Sequence, residues 1–301
     1  MSSILIAGGV VVKEANLVRG SGKNIQCPTL PSKIRGASMV LHNGAILLCG
    51  GMVKTHSPEF EQKCWQLDHG SWLEHSTLNQ GRLFASAVTT SKATFIFGGI
   101  YNPTYEYLLK GSDTWQLGST KIPEKFEIGC AVEVKADQEI WLIGGRNTDR
   151  RILSFNVNEH TFRELSLKLM VERWGHQCAF IPGTNKLMIS GGWDEYEDMR
   201  NRDPMRSSTE IITFEDGGFF HTVSNPMNIG RYLHGIGVIT IDDEDKLAVF
   251  GGELDNWKAI NNLEIFNTQT QKWEITDRMN HKVNYFGFLT VKNGTILGAE
   301  S

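Results

Sequence analysis

The sequence predicts an all-β chain: a six-bladed β-propeller closed by N- and C-terminal strands that share one blade. Three observations predict it. Apolar runs ending in Gly-Gly recur along the chain, and each period carries further short strand-like segments. Between these segments there is no helical periodicity. Glycine (31 residues) is abundant while proline (8 residues) is not, so the glycines mark tight turns rather than a low-complexity linker.

The doublets come first. Ile4-Leu5-Ile6-Ala7-Gly8-Gly9 is followed by runs closing at Gly50-Gly51, Gly98-Gly99, Gly144-Gly145, Gly191-Gly192 and Gly251-Gly252. A worn copy, Thr295-Ile296-Leu297-Gly298-Ala299, ends the series, and Gly217-Gly218 stands outside it as a hairpin turn. The run before each doublet reads as a second strand buried between neighbouring sheets, turning sharply where only glycine fits. About 15 to 20 residues earlier a basic residue opens an inner strand, as in Arg82-Leu83-Phe84-Ala85-Ser86 and Arg231-Tyr232-Leu233-His234. After each doublet an aromatic-bearing third strand is expected: Cys64-Trp65-Gln66-Leu67, Asp113-Thr114-Trp115-Gln116-Leu117 and Leu263-Glu264-Ile265-Phe266. A short fourth strand such as Lys272-Trp273-Glu274-Ile275 closes the unit. The chain starts at a second strand, so Tyr285–Val291 is expected to supply the missing inner strand of the first blade. Residues 1–301 are read as one domain.

These elements resemble the kelch repeat. The resemblance rests on six Gly-Gly doublets, the later aromatics and the Arg-x-x-His openings Arg173-Trp174-Gly175-His176 and Arg231-Tyr232-Leu233-His234. The cysteine placement, in Cys27-Pro28-Thr29-Leu30-Pro31, Cys49-Gly50-Gly51 and Cys64-Trp65, is similar to that of animal extracellular kelch proteins. That likeness implies an extracellular location, with a cytoplasmic one left open, since Met1-Ser2-Ser3-Ile4 carries no signal-peptide pattern.

Composition narrows the function classes. A net charge of −4 and the lack of any Lys/Arg run argue against a nucleic-acid partner. No apolar stretch reaches the ~18 residues of a membrane span. There is no C-x-x-C, paired-histidine spacing, phosphate loop or nucleophile elbow, so no metal, cofactor or catalytic set is expected. Nor is the cross-linked Cys–Tyr site of copper oxidases built on kelch blades reproduced. Cys130 and Cys178, each five residues after a basic residue, read as equivalent positions on neighbouring inner strands. They are either a disulfide or two packed thiols. Cys64 can pair with Cys27 or Cys49. Asn293-Gly294-Thr295 is the single glycosylation sequon.

Aligning the inner-strand openings yields a basic ring: Arg35, Arg82, Lys125, Arg173, Arg231 and Lys282. It reads as an electropositive channel mouth for an anionic ligand, or as cations paired with carboxylates on adjacent loops. Asp149, Asp194, Glu195, Glu253 and Asp255 are the acids at hand. Trp174, Tyr232 and Phe84 form an aromatic rim or wedge between blades. The longest interval holds the segment 193–206, with Trp193 and Tyr196, a docking loop or a self-neutralising lobe. Asp242-Asp243-Glu244-Asp245 reads as a solvated turn, and His176 and His234 as structural imidazoles. The expected function is a non-catalytic binding module taking a protein partner or an anionic small ligand. The alternative is an enzyme acting on an anionic sugar in the channel, as the kelch-type mutarotases do with a Glu and an Arg.

Overall fold

The computed structural model describes the chain except residues 10–12, 20–24, 54–58, 147, 149, 194–206, 256 and 293–301. Asp149, Asp194, Glu195, Tyr196, the worn copy and the sequon therefore lie outside the described residues. Blade 1 begins with β1 (Ser2–Ala7), β2 (Ala15–Val18) and β3 (Ile25–Cys27); blade 2 is β4 (Ser38–His42), β5 (Ala45–Cys49), β6 (Lys63–Asp68) and β7 (Ser71–Thr77). Blade 3 is β8 (Ser86–Thr89), β9 (Ala93–Phe97), β10 (Tyr105–Leu109) and β11 (Gln116–Leu117). Blade 4 is β12 (Cys130–Lys135), β13 (Glu139–Ile143), β14 (Arg151–Asn156) and β15 (Thr161–Lys168). Blade 5 is β16 (Gln177–Phe180), β17 (Lys186–Ser190), β18 (Thr209–Glu215) and β19 (Gly218–Ser224). Blade 6 is β20 (Gly235–Ile241), β21 (Glu244–Phe250), β22 (Ile260–Asn267) and β23 (Lys272–Val283). The last strand, β24 (Gly287–Lys292), returns to pair antiparallel with β1, from Ala7 opposite Gly287 to Ser2 opposite Lys292. The result is six four-stranded antiparallel sheets, closed as the sequence predicts.

Packing follows strand alternation. Leu5 and Ala7 of β1 pack toward blade 2 on Met39, Leu48 and Trp72, while Ile4 and Ile6 pack toward blade 6 on Phe250, Leu263 and Ile265. Second strands are therefore apolar on both faces, and burying each such side chain contributes about 1.5–3 kcal/mol. Tryptophans 72, 115, 141 and 273 fill the widening outer gaps and are almost wholly buried. In blade 3 the expected third strand is misplaced. β10 takes that role, and Trp115 immediately precedes the fourth strand, β11. The loop after Gly99 is short, so the third strand arrives earlier than the tryptophan suggests.

The doublets tie blades together. Every residue of the six pairs has positive φ. A Cβ on Gly50 would lie 2.7 Å from the Arg82 carbonyl of the next blade. That same carbonyl accepts the N–H of Gly51 at 2.7 Å. Only a residue without a side chain permits this approach.

Two disulfides are formed. Cys49–Cys64 joins direct register partners within blade 2, and Cys130–Cys178 joins blades 4 and 5. Cys130 and Cys178 are not equivalent positions, since Cys130 pairs with Ile143 and its counterpart opposite Ser190 is Gln177. The offset has a geometric cause: equivalent side chains point the same way around the ring, so facing ones must differ by one residue. Cys27 remains a thiol in the core between blades 1 and 2, its pKa pushed up to about 11 by burial.

Candidate functional site: the channel mouth

The segments entering the inner strands define three successive rings. In the first, the carbonyls of Ile34, Arg82, Phe126, Arg173, Arg231 and Val283 accept the second-glycine N–H of the preceding blade. One residue on stand Arg35, Leu83, Glu127, Trp174, Tyr232 and Asn284. Then come Gly36, Phe84, Ile128, Gly175, Leu233 and Tyr285, all left-handed, with φ between 51° and 65°. The six basic residues therefore do not form one ring. Arg82, Arg173 and Arg231 belong to the first layer, Arg35 to the second, and Lys125 and Lys282 precede the first and are exposed. Alignment by charge slips one residue wherever Ile, Phe or Val takes the arginine's place.

The three first-layer arginines are fully buried. Arg231 Nη1 donates to the Gly251 and Asn262 carbonyls (3.0 and 3.1 Å), and Nη2 to Glu264 Oε1 at 2.5 Å. Arg82 likewise binds the Gly98 and Thr104 carbonyls and Glu106, and Arg173 the Gly191 and Ser208 carbonyls and Glu210. Each guanidinium thus ties the first glycine of its own blade to the third strand. The glutamates accept further bonds, Glu106 from the Asn79 and Gln80 N–H groups and Glu264 from those of Asn228 and Ile229. His221 (Nε2 2.7 Å away) and the Met170 N–H complete Glu210, whose pKa is held down to about 2 despite burial. These third-strand carboxylates compensate the arginines. The signal for them was present: a Glu inside the third strand of each of the three blades that carry Arg, with Glu106 and Glu264 the sole charges of their strands.

His176 and His234 are buried wedges. Their rings lie where a Cβ on Gly144 or Gly191 of the preceding blade would fall, and Ser190 Oγ lies 3.0 Å from His234 Nε2. Burial, with Arg173 adding repulsion, lowers the His176 pKa to about 3; burial likewise holds His234 well below the usual histidine value. Asp242 and Asp243 form the β20–β21 turn, and Asp245 accepts the Thr240 hydroxyl at 2.5 Å. Among the described residues, no three His, Cys, Asp or Glu side chains gather as a metal would require.

The second and third rings build the mouth. Trp174, Trp193 and Tyr232 pack ring to ring, with centroids 5.3 to 6.2 Å apart, and the Arg146 guanidinium lies 5.8 Å over Trp174. Beside them Glu253 is almost wholly buried and accepts Asn284 Nδ2 at 3.2 Å. Tyr232 and Tyr285 also hydrogen-bond to it. Burial raises the Glu253 pKa against these bonds, and raises those of both tyrosines, with the Arg35 charge acting the other way on Tyr285. Tyr285, Phe84, Ile128 and Leu233 line a channel cavity of about 350 Å³ below. Parts of the third ring are linked by backbone bonds, such as Gly36 N–H to the Tyr285 carbonyl and Leu233 N–H to that of Gly175. Sequence reasoning singled out Arg35, Trp174, Trp193 and Tyr232, but the buried setting of Glu253 emerges only from its neighbours. On the surrounding loops, Tyr101 and Trp257 are 80% and 72% exposed, and Arg146 and Arg150 are exposed.

No family model matches the chain. It is 25% identical over 209 residues, 68% of its length, to a RING finger domain and kelch repeat-containing protein of Dictyostelium discoideum. The chain spans 20% of that relative. The solved structure of YjhT aligns with a TM-score of 0.66, covering 90% of this chain and 97% of YjhT at 13% identity. With the repeats, these likenesses show a six-bladed kelch-type β-propeller.

Proposed function

We propose that this kelch-type propeller, residues 1–301 as one domain, is a non-catalytic protein-binding module that presents the glycine-doublet face. The observation that carries the reading is the pair Tyr101 and Trp257, large aromatics left open to solvent on doublet loops. Both are held at left-handed φ (59° and 60°) by their turns. Exposed aromatic and arginine side chains supply most of the binding energy at protein interfaces. With Arg146 and Arg150 on the same face, the partner is an acidic protein segment with apolar anchors. With the buried arginines internally neutralised, the attraction comes from the loop cations. In affinity capture from the native source, the double variant Tyr101→Ser/Trp257→Ser should lose the partner held by the wild type, with melting unchanged. Equal capture by both overturns the reading.

The second reading, an enzyme acting on an anionic sugar in the channel, is favoured by Glu253. A buried carboxyl of raised pKa beside two tyrosines, one of them lining the cavity, suits proton transfer. Magnetisation-transfer NMR of anomer exchange with a panel of sugar acids tests it: wild-type catalysis lost in Glu253→Gln supports it, and a catalytically silent wild type removes it. The two disulfides favour an oxidising compartment, and we place the protein outside the cytosol. Free alkylation of all five cysteines in freshly isolated protein would contradict that placement.

A further inference from the structure

The outer strand of each blade presents unpaired backbone groups, and long edges are ordinarily guarded by charge. Four described outer strands have seven residues or more. β7 carries Glu74, β15 carries Arg163, Glu164 and Lys168, and β23 carries Lys272 and Glu274 among others. β19, Gly-Phe-Phe-His-Thr-Val-Ser, carries neither an acid, a lysine nor an arginine. It is also apolar where it meets solvent: Phe219, Phe220 and Val223 are 39%, 60% and 68% exposed. We infer that β19 is a self-association edge, at which two copies of this chain pair antiparallel about a two-fold axis through His221.

The register supports a second copy as the occupant. Side chains 219, 221 and 223 share one face of blade 5, on which Phe219 packs edge-on against Trp141 at 5.5 Å. A two-fold at His221 sets Phe219 opposite Val223 of the other copy, twice, and Phe220 opposite Thr222 on the other face. Phe219 and Val223 of each copy thus cover those of the other on one face, a self-complementary contact of the isologous kind. Charge decides between edges. Pairing β19 with a second β19 desolvates no Asp, Glu, Lys or Arg, whereas pairing any of the other long outer strands would bring charged side chains into the seam. At the axis each His221 is turned to its own Glu210 at 2.7 Å. A single seven-residue edge falls below a standard interface, so the dimer is expected to be weak and concentration-dependent. This inference stands apart from the proposed partner-binding face, which the dimer leaves open.

Sedimentation equilibrium of the whole chain, up to about 100 µM, tests it. The wild type should shift from monomer toward dimer across the series, with the β19 amides gaining hydrogen-exchange protection as concentration rises. Val223→Lys should stay monomeric, with unchanged melting because the position is exposed. Ile275→Lys, on the already charged β23 edge, should dimerise like the wild type. A wild type that is monomeric at the highest concentration, or a Val223→Lys chain that still dimerises, overturns the inference. So does protection of β19 that is independent of concentration.

Discussion

Arg231 keeps no exposed surface, and its charge is answered by Glu264 and carbonyls of its own blade. Burial lowers its proton affinity, and the glutamate acts against that shift. Removing one member of such a pair leaves an uncompensated buried charge, so Arg231→Ala should cost about 3–5 kcal/mol in urea unfolding. Arg35→Ala, at the half-buried second layer, should cost much less. Equal losses would show that the clamp is not what separates them. His176 predicts a pH effect. It is neutral in the fold, with a pKa near 3, and titrates near 6.5 when unfolded. As pH falls from about 6.5 toward 3 the unfolded chain binds the extra proton, so stability drops across that window and is fully present only above it. Unfolding free energy measured from pH 7 to 4 should fall less steeply in His176→Phe than in the wild type. Parallel slopes would contradict the shift.

Among elements, the two disulfides act differently. Cys49–Cys64 closes a short loop within a blade that its own ladder already holds. Cys130–Cys178 spans 48 residues and links two sheets that share no strand ladder and otherwise meet through side chains and a few backbone bonds at the inner-strand openings. On loop-entropy grounds the bridges contribute about 3 and 4 kcal/mol, the longer one more. The double variant Cys130→Ser/Cys178→Ser should therefore melt lower than Cys49→Ser/Cys64→Ser. The reverse order in calorimetry would place the strength within blade 2 instead.

At the scale of the molecule, the ring closes through six register pairs between β1 and β24. Phe286 and Val291 are buried there, in the cores on either side of blade 1. A chain ending at Asn284 loses the inner strand of blade 1 and exposes the β1 edge. It should lose several kcal/mol, from two side chains at about 1.5–3 kcal/mol each and the ladder besides. Adding a peptide of residues 285–292 should restore part of the melting temperature. A truncated chain that melts as the full one does would mean that closure contributes little.

The propeller, its blade number and its shared closing blade were legible because they rest on local signals: doublets that only glycine can occupy, and second strands apolar on both faces. The Cys130–Cys178 bridge was legible as a pair, but its one-residue offset was not. Facing sheets interdigitate, and that parity is a property of two blades rather than of one segment. The basic ring misled for the same reason. Charge aligned Arg35 with Arg82, whereas the carbonyl-to-doublet bond, made between blades, aligns Ile34 with Arg82. Only the tertiary structure could bring Glu106, Glu210 and Glu264 to the arginines, or gather Tyr232, Asn284 and Tyr285 around Glu253. These partners lie 21 to 37 residues apart, and the chain closes such distances only when its strands pair and its blades stack.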